Sequence, residues 1–116
     1  MKLKLIISVF MLVVLTGMTA GSTETEAIAY AEGVASSSYW ISSKLIGVNI
    51  TCNPDDNWLI VSGIIESDDD EYLEYLMSDG AELAVRVTER YPSIEACSFI
   101  VFRPDGGKLV EMIVYN

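Results

Sequence analysis

The first stretch of hydrophobic positions is continuous rather than periodic. From Leu5 to Leu15 the chain is apolar except for Ser8; Lys2 and Lys4 precede this stretch, and mostly small residues follow it at positions 16–22. The order of basic, apolar and small residues is typical of a secretory signal peptide. We therefore expect residues 1–21 to be a signal peptide, cut between Ala20 and Ser22, and residues 22–116 to form one domain.

An uncleaved membrane anchor is the alternative for the same segment. The low-polarity stretch from residue 5 to residue 21 is 17 residues long, at the lower end of the lengths that cross a bilayer as a helix. Export with cleavage is the preferred interpretation, and tethering by residues 5–21 stays open.

Helical periodicity begins just after the leader. Thr23 and Glu26 have the spacing of a capping box, and the apolar positions that follow, up to Val34, repeat at intervals of three and four. Gly33 and the three serines at 36–38 are weak helix formers. The pattern predicts a short helix that ends near Ser38 or shortly beyond, at Trp40.

The period then changes to two, which is typical of strands. Residues 45–52 place Ile46, Val48, Ile50 and Cys52 on one face. Residues 53–57 are Asn, Pro and Asp and predict a turn. Residues 58–65 are apolar at nearly every position, which indicates a strand that is covered on both faces or central in its sheet.

The longest periodic segment predicts a helix that Pro92 ends. Its apolar stripe keeps one phase over about five turns and consists of Leu73, Leu76, Met77, Gly80, Ala84, Val87 and Tyr91. Asp79 falls on the opposite, polar face. The acidic residues at 66–71 lack the ligand spacing of an EF-hand, and acids favour the first turn of a helix. They therefore predict a helix start and no metal site.

Two further strands complete the pattern. Residues 95–103 and 108–115 flank Pro104-Asp105-Gly106-Gly107, a strong hairpin turn. The whole domain is predicted to be an α+β two-layer sandwich of order α-β-β-α-β-β with a four-stranded antiparallel sheet.

Strand order depends on the helix that joins the two hairpins. It returns the chain along the sheet, so the second and third strands should be parallel, and a fully antiparallel sheet must keep them apart. The preferred order, 2-1-3-4, places Cys52 beside Cys97 and predicts a disulfide, the common state of two cysteines in an exported domain. The alternative, 1-2-4-3, is a permuted ferredoxin-like arrangement that leaves both thiols unpaired on opposite edges.

Composition excludes several classes of function. The full chain carries a net charge of −10 and no histidine. Loss of Lys2 and Lys4 with the leader would leave 5 basic and 17 acidic residues, a charge of −12. Such a charge repels nucleic acid and anionic lipid headgroups. The missing histidine removes Ser-His-Asp and Cys-His catalysis and the usual zinc ligand.

The sequence thus favours a small acidic exported domain that is not an enzyme. We expect it to need no cofactor, to bind a protein or cell-surface component, and to contact a membrane only through an uncleaved leader. Tyr39, Trp40 and Trp58 are candidate contact aromatics, and Asn49 begins a glycosylation sequon. The alternatives are a membrane-tethered accessory subunit and, less favoured, a small hydrolase that uses two carboxylates.

Overall fold

The computed structural model describes residues 19–66 and 70–116, with side chains for residues 23–66 and 71–116. Most of the predicted leader lies outside the described residues. The elements are α1 (Thr19–Ser37), α2 (Tyr39–Lys44), β1 (Leu45–Asn53), β2 (Trp58–Ile65), a 3₁₀ turn (Asp70–Tyr72), α3 (Leu73–Arg90), β3 (Ala96–Phe102) and β4 (Lys108–Tyr115). The predicted α+β class is confirmed. In the described part of the chain, no helix has the length and apolarity needed to cross a membrane.

The N-terminal helical region is two helices rather than one. Helix α1 begins upstream of Thr23, so the capping-box spacing lies inside the helix instead of at its start. Ser38 separates the helices: its hydroxyl accepts a hydrogen bond from the backbone N–H of Ile41 and donates one of 2.5 Å to Asp79 of α3. Asp79 lies outside the buried stripe of α3 and, through this bond to Ser38, connects α3 to the start of α2.

The sheet is mixed, and its order is β1-β2-β3-β4. β2 and β3 run parallel, as predicted, but they are neighbours, whereas both predicted orders kept them apart. The prediction assumed an antiparallel sheet. A crossover of a dozen or more residues that contains a helix can join two adjacent parallel strands, and α3 makes such a connection. Both hairpins, β1–β2 and β3–β4, are antiparallel.

This strand order shows that the predicted Cys52–Cys97 disulfide is wrong. Cys52 lies opposite Leu59 of β2, which in turn lies opposite Cys97 of β3. Two strand spacings separate the cysteines by about 9–10 Å, beyond the roughly 7 Å between Cα atoms that a disulfide can span. Both thiols are free, because β2 lies between the strands that carry them.

A bulge changes the face on which one residue of β1 lies. The register shifts between Ile46 and Asn49, where Gly47 has φ = 61°, a conformation that glycine adopts without strain. Val48 and Cys52 keep the face that the alternation predicts. Ile46 lies opposite Ile64 on the other side of the sheet and is 51% exposed.

The hydrophobic core lies between one face of the sheet and the three helices. On the central strands every second residue belongs to the core, with Leu59 and Val61 of β2 beside Cys97, Phe99 and Val101 of β3. The helices contribute alanines from α1, Ile41 from α2 and the apolar stripe of α3. We call this side of the sheet the covered face, since the helices pack on it.

Gly80 sets the distance between α3 and the covered face. It is buried on the α3 stripe, and a Cβ at this position would overlap the ring of Phe99. The predicted close approach of this glycine to the sheet is confirmed.

Gly80→Leu should therefore destabilise the fold. Overpacking of a tight contact costs about 1–3 kcal/mol, and we expect a cost near the upper end of this range because the new side chain overlaps a whole ring. Replacement of glycine within a helix gains roughly 1 kcal/mol of helix propensity, which is smaller than that cost. Ser78→Leu puts the same side chain on an exposed position of α3 and should change the free energy of unfolding by less than about 0.5 kcal/mol. Urea denaturation measures both. Equal losses would contradict the placement of Gly80. Because Phe99→Ala removes the ring that the new side chain meets, the double variant should lose less stability than the sum of the two single losses.

The free thiols lead to a second prediction. Cys97 is fully buried, and burial, followed by the effect of Cys52, raises the pKa of its thiol from 9.0 to about 12. Cys52 is partly exposed; partial burial and then Glu24 and Asp56 raise its pKa. Since thiolates are the reactive form, iodoacetamide at pH 8 should label Cys52 first and Cys97 only after unfolding. Mass spectrometry gives the order of labelling.

Reductant should leave the melting temperature unchanged, because no disulfide is present to break. Because burial keeps the Cys97 thiol protonated in the fold and raises its pKa to about 12, the free energy of unfolding should fall as the pH rises from 9 toward 12. A native mass that is two hydrogen atoms lower than the reduced mass would contradict the observed strand order, and labelling of both cysteines at equal rates would contradict the burial of Cys97.

Candidate interaction surface

The side of the sheet opposite the helices carries large apolar side chains. Strand residues that alternate with the core positions form this surface, which we call the open face. Its large apolar members are Ile46, Trp58, Ile60, Ile64, Ile100, Phe102, Ile113 and Tyr115. None of them belongs to the buried core cluster that the helices cover. The open face is therefore an apolar surface on which none of the described helices packs.

Neighbouring strands align the open-face residues in rows across the sheet. One row runs Thr51–Ile60–Ser98–Ile113, and the next runs Asn53–Trp58–Ala96–Tyr115. Exposure is greatest on the edge strands, where Tyr115 is 68% exposed, and lower on the central strands, where neighbours half-bury Ile60 and Ile100. The result is an apolar surface that extends over all four strands.

An aromatic pair anchors one end of the open face. The Trp58 indole N–H donates a 2.6 Å hydrogen bond to the hydroxyl of Ser98, which is 2% exposed. The Tyr115 ring packs edge-on against Trp58 at 5.8 Å between ring centres. Because the indole N–H is already bonded, the ring is held in one orientation with its apolar surface available for contact.

Charge is almost absent from the open face. Although the chain is strongly acidic, the only charged residues in the four strands are Lys108 and Glu111 of β4. Their side chains form a 2.7 Å salt bridge with each other. The acidic residues are instead on the helices and in the loops, so the open face combines an apolar composition with no net charge.

The three predicted contact aromatics are on two different sides of the molecule. Tyr39 and Trp40 of α2 lie on the helical side, and Trp40 stacks on Tyr75 of α3 at 4.9 Å between ring centres. Tyr39 is 66% exposed, whereas Trp40 is half-buried by its neighbours. Trp58 alone lies on the open face.

Sequence reasoning missed the other members of the open face. The signal was the near-continuous apolar composition of β2, which indicated cover on both faces or a central position. The structure gives β2 the central position and covers one face. On the open face, Ile64 of β2 is 36% exposed and Ile113 of β4 is 37% exposed.

Asn49, the sequon residue, lies on the polar margin of the open face. It is exposed on edge strand β1, in the row that continues through Ser62 and Ile100 to Glu111. Glycosylation of Asn49 remains a prediction. A glycan there would occupy one margin of the open face.

A cavity of about 270 Å³ lies between the first two helices and β1. Its lining is mostly apolar, with two serine hydroxyls and one carboxylate, from Ala35, Ile41, Val48, Ile50, Ser36, Ser42 and Glu32. Both serine hydroxyls donate to carbonyl oxygens of their own helical segments. The cavity holds no pair of carboxylates for hydrolysis, and the described residues bring together no group of three His, Cys, Asp or Glu side chains that could hold a metal.

Comparisons of the chain with protein-family models, with curated proteins and with solved structures found no match. Functional inference for this protein therefore depends on its own surface chemistry.

A pair of neighbouring residues tests which face of the sheet is covered. Ile60→Thr changes a half-buried position on the open face and should cost about 1 kcal/mol or less, since threonine suits a partly exposed strand position. Val61→Thr puts a hydroxyl into the fully buried side of the same strand and should cost about 1–3 kcal/mol. Urea unfolding of dilute protein measures both. A larger loss for Ile60→Thr would show that the open face is covered within the monomer.

Proposed function

We propose that this protein is an exported, non-catalytic binding domain that acts by placing its open face against another protein surface. The observation that supports this most directly is the combination of eight large apolar side chains with no unpaired charge. Large apolar patches on small proteins are typical of interaction sites. Two parallel central strands are also normally covered on both faces, and the helices cover only one.

The arrangement of residues resembles the composition of protein interfaces. On the open face, the central strands carry two polar residues, Ser62 and Ser98, and no charged one. The other polar residues, which include Asn49 and Thr51 of β1, and the Lys108–Glu111 pair of β4 are on the edge strands. Interfaces commonly have an apolar centre and a polar rim. Trp58 and Tyr115 belong to the residue types that contribute most to binding energy.

Export is the part of the proposal that depends on the leader. Material recovered from outside the cytoplasm should have an intact mass that corresponds to cleavage between Ala20 and Ser22, because small residues follow the apolar stretch there. A mass that still includes residues 1–15 would make the protein a membrane-tethered domain. The open face would then act beside a membrane rather than free of it.

Site-specific photocrosslinking in the native host tests the contact surface. A benzophenone amino acid replaces Tyr115 on the open face or, as the matched control, Tyr39 on the helical side; the two tyrosines are 68% and 66% exposed. We expect a discrete crosslinked protein from position 115 and none from position 39. A product from position 39 alone would move the contact surface to the α2 aromatics and overturn the proposal.

A further inference from the structure

We infer that the occupant of the open face is a second copy of this chain, packed face to face to form a symmetric dimer. The inference rests on the proposed function, since it names the partner of the same surface. Three properties of the open face support it: its charge, its dimensions and the order of residues across it.

Charge selects among the partners that could cover the surface. A basic protein would be attracted to the acidic helices and loops, and not to the open face, whose only charges, Lys108 and Glu111, pair with each other. An anionic membrane would be repelled by the net charge of −10. The open face requires a flat, uncharged apolar partner, and a second open face has these properties. In the dimer the acidic helices of both copies lie on the outside.

Dimensions set the expected strength of the dimer. Four strands of about seven residues make a surface of about 19 by 23 Å, or about 400 Å² of flat area per copy. The pair therefore buries at least about 800 Å², within the range of weak, reversible interfaces. Two sheets with the same twist pack at a small angle, about 10 Å apart, so identical copies match in width and curvature.

The order of residues across the sheet fits self-association. The central strands supply Ile60, Ile100 and Phe102 to the middle of the interface, without any charged residue. The polar side chains of β1 and the Lys108–Glu111 pair of β4 remain at the rim, where water reaches them. A symmetric dimer thus buries no unpaired charge, which would otherwise oppose association strongly.

Analytical ultracentrifugation of the protein, in the form that an exporting cell accumulates, tests the inference. Monomer and dimer should coexist at concentrations on the order of 10–100 µM, as expected for a small interface. Because two acidic copies repel each other and salt screens that repulsion, an increase from 50 to 500 mM NaCl should tighten the dimer about threefold or more. Protein that stays monomeric at 1 mM in high salt would overturn the inference.

Two variants with the same added charge locate the interface. Ile113→Glu on the open face should weaken the dimer at least about tenfold, because it puts an unpaired carboxylate into the interface. Val85→Glu on α3 is the matched control, since the two residues are 37% and 39% exposed; it should change the dimer less than about twofold. The reverse order of effects would place self-association on the helical side and overturn the inference.

A mixing experiment guards against a folding defect in the first variant. Ile113→Lys and Ile113→Glu proteins should each be monomeric under conditions in which the unmodified protein dimerises, and their equimolar mixture should recover part of the dimer. Circular dichroism verifies that each variant is folded. No recovery by two folded variants would count against face-to-face pairing.

The inference and the proposed function can fail separately. Crosslinking from position 115 to a different protein, together with a monomer in the centrifuge, would overturn the dimer and leave the binding function standing. Crosslinking to a second copy of the chain supports both. No crosslink from position 115, together with a monomer in the centrifuge, would overturn both.

Discussion

The parallel pairing of β2 with β3 is the constraint on which the rest of this structure depends. Parallel neighbours need a long crossover, and α3 supplies it by running back across the covered face. Gly80 lets α3 lie against Phe99, which brings the helix stripe onto the central strands. The two hairpins then extend outward, so β1 and β4 become the edges of the sheet.

That pairing has chemical and functional consequences. β2 separates Cys52 from Cys97, so the thiols stay free and burial raises the pKa of Cys97. The apolar composition of β2 and β3 also extends through both faces of the sheet, although helices cover only one. Strands β2 and β3 carry apolar side chains on both faces, and they lie at the centre of a sheet that helices cover on one face only. The open face follows from that arrangement.

Charge and hydrophobicity are distributed to different surfaces. Acidic residues outnumber basic ones by 17 to 7 in the chain. In the described part of the chain, the charged residues are on the helices and loops, apart from the Lys108–Glu111 pair of β4. Repulsion between acidic surfaces limits non-specific association, whereas the uncharged open face can approach a matching surface. Under the binding function that we propose, this separation directs association to the open face.

Local patterns in the sequence determined the elements themselves. Strands β2 and β4 have the predicted bounds, and the apolar stripe of α3 has the predicted phase. The parallel direction of β2 and β3 follows from the length of α3. The face on which Asn49 lies, opposite to that of Ile50 and Cys52, also followed from alternation. Only the tertiary structure decided which strands are neighbours, because one sequence of elements fits several sheet orders whose differences arise from contacts between distant residues. The open face, the bulge that turns Ile46 toward it and the separation of Cys52 from Cys97 all follow from that long-range pairing.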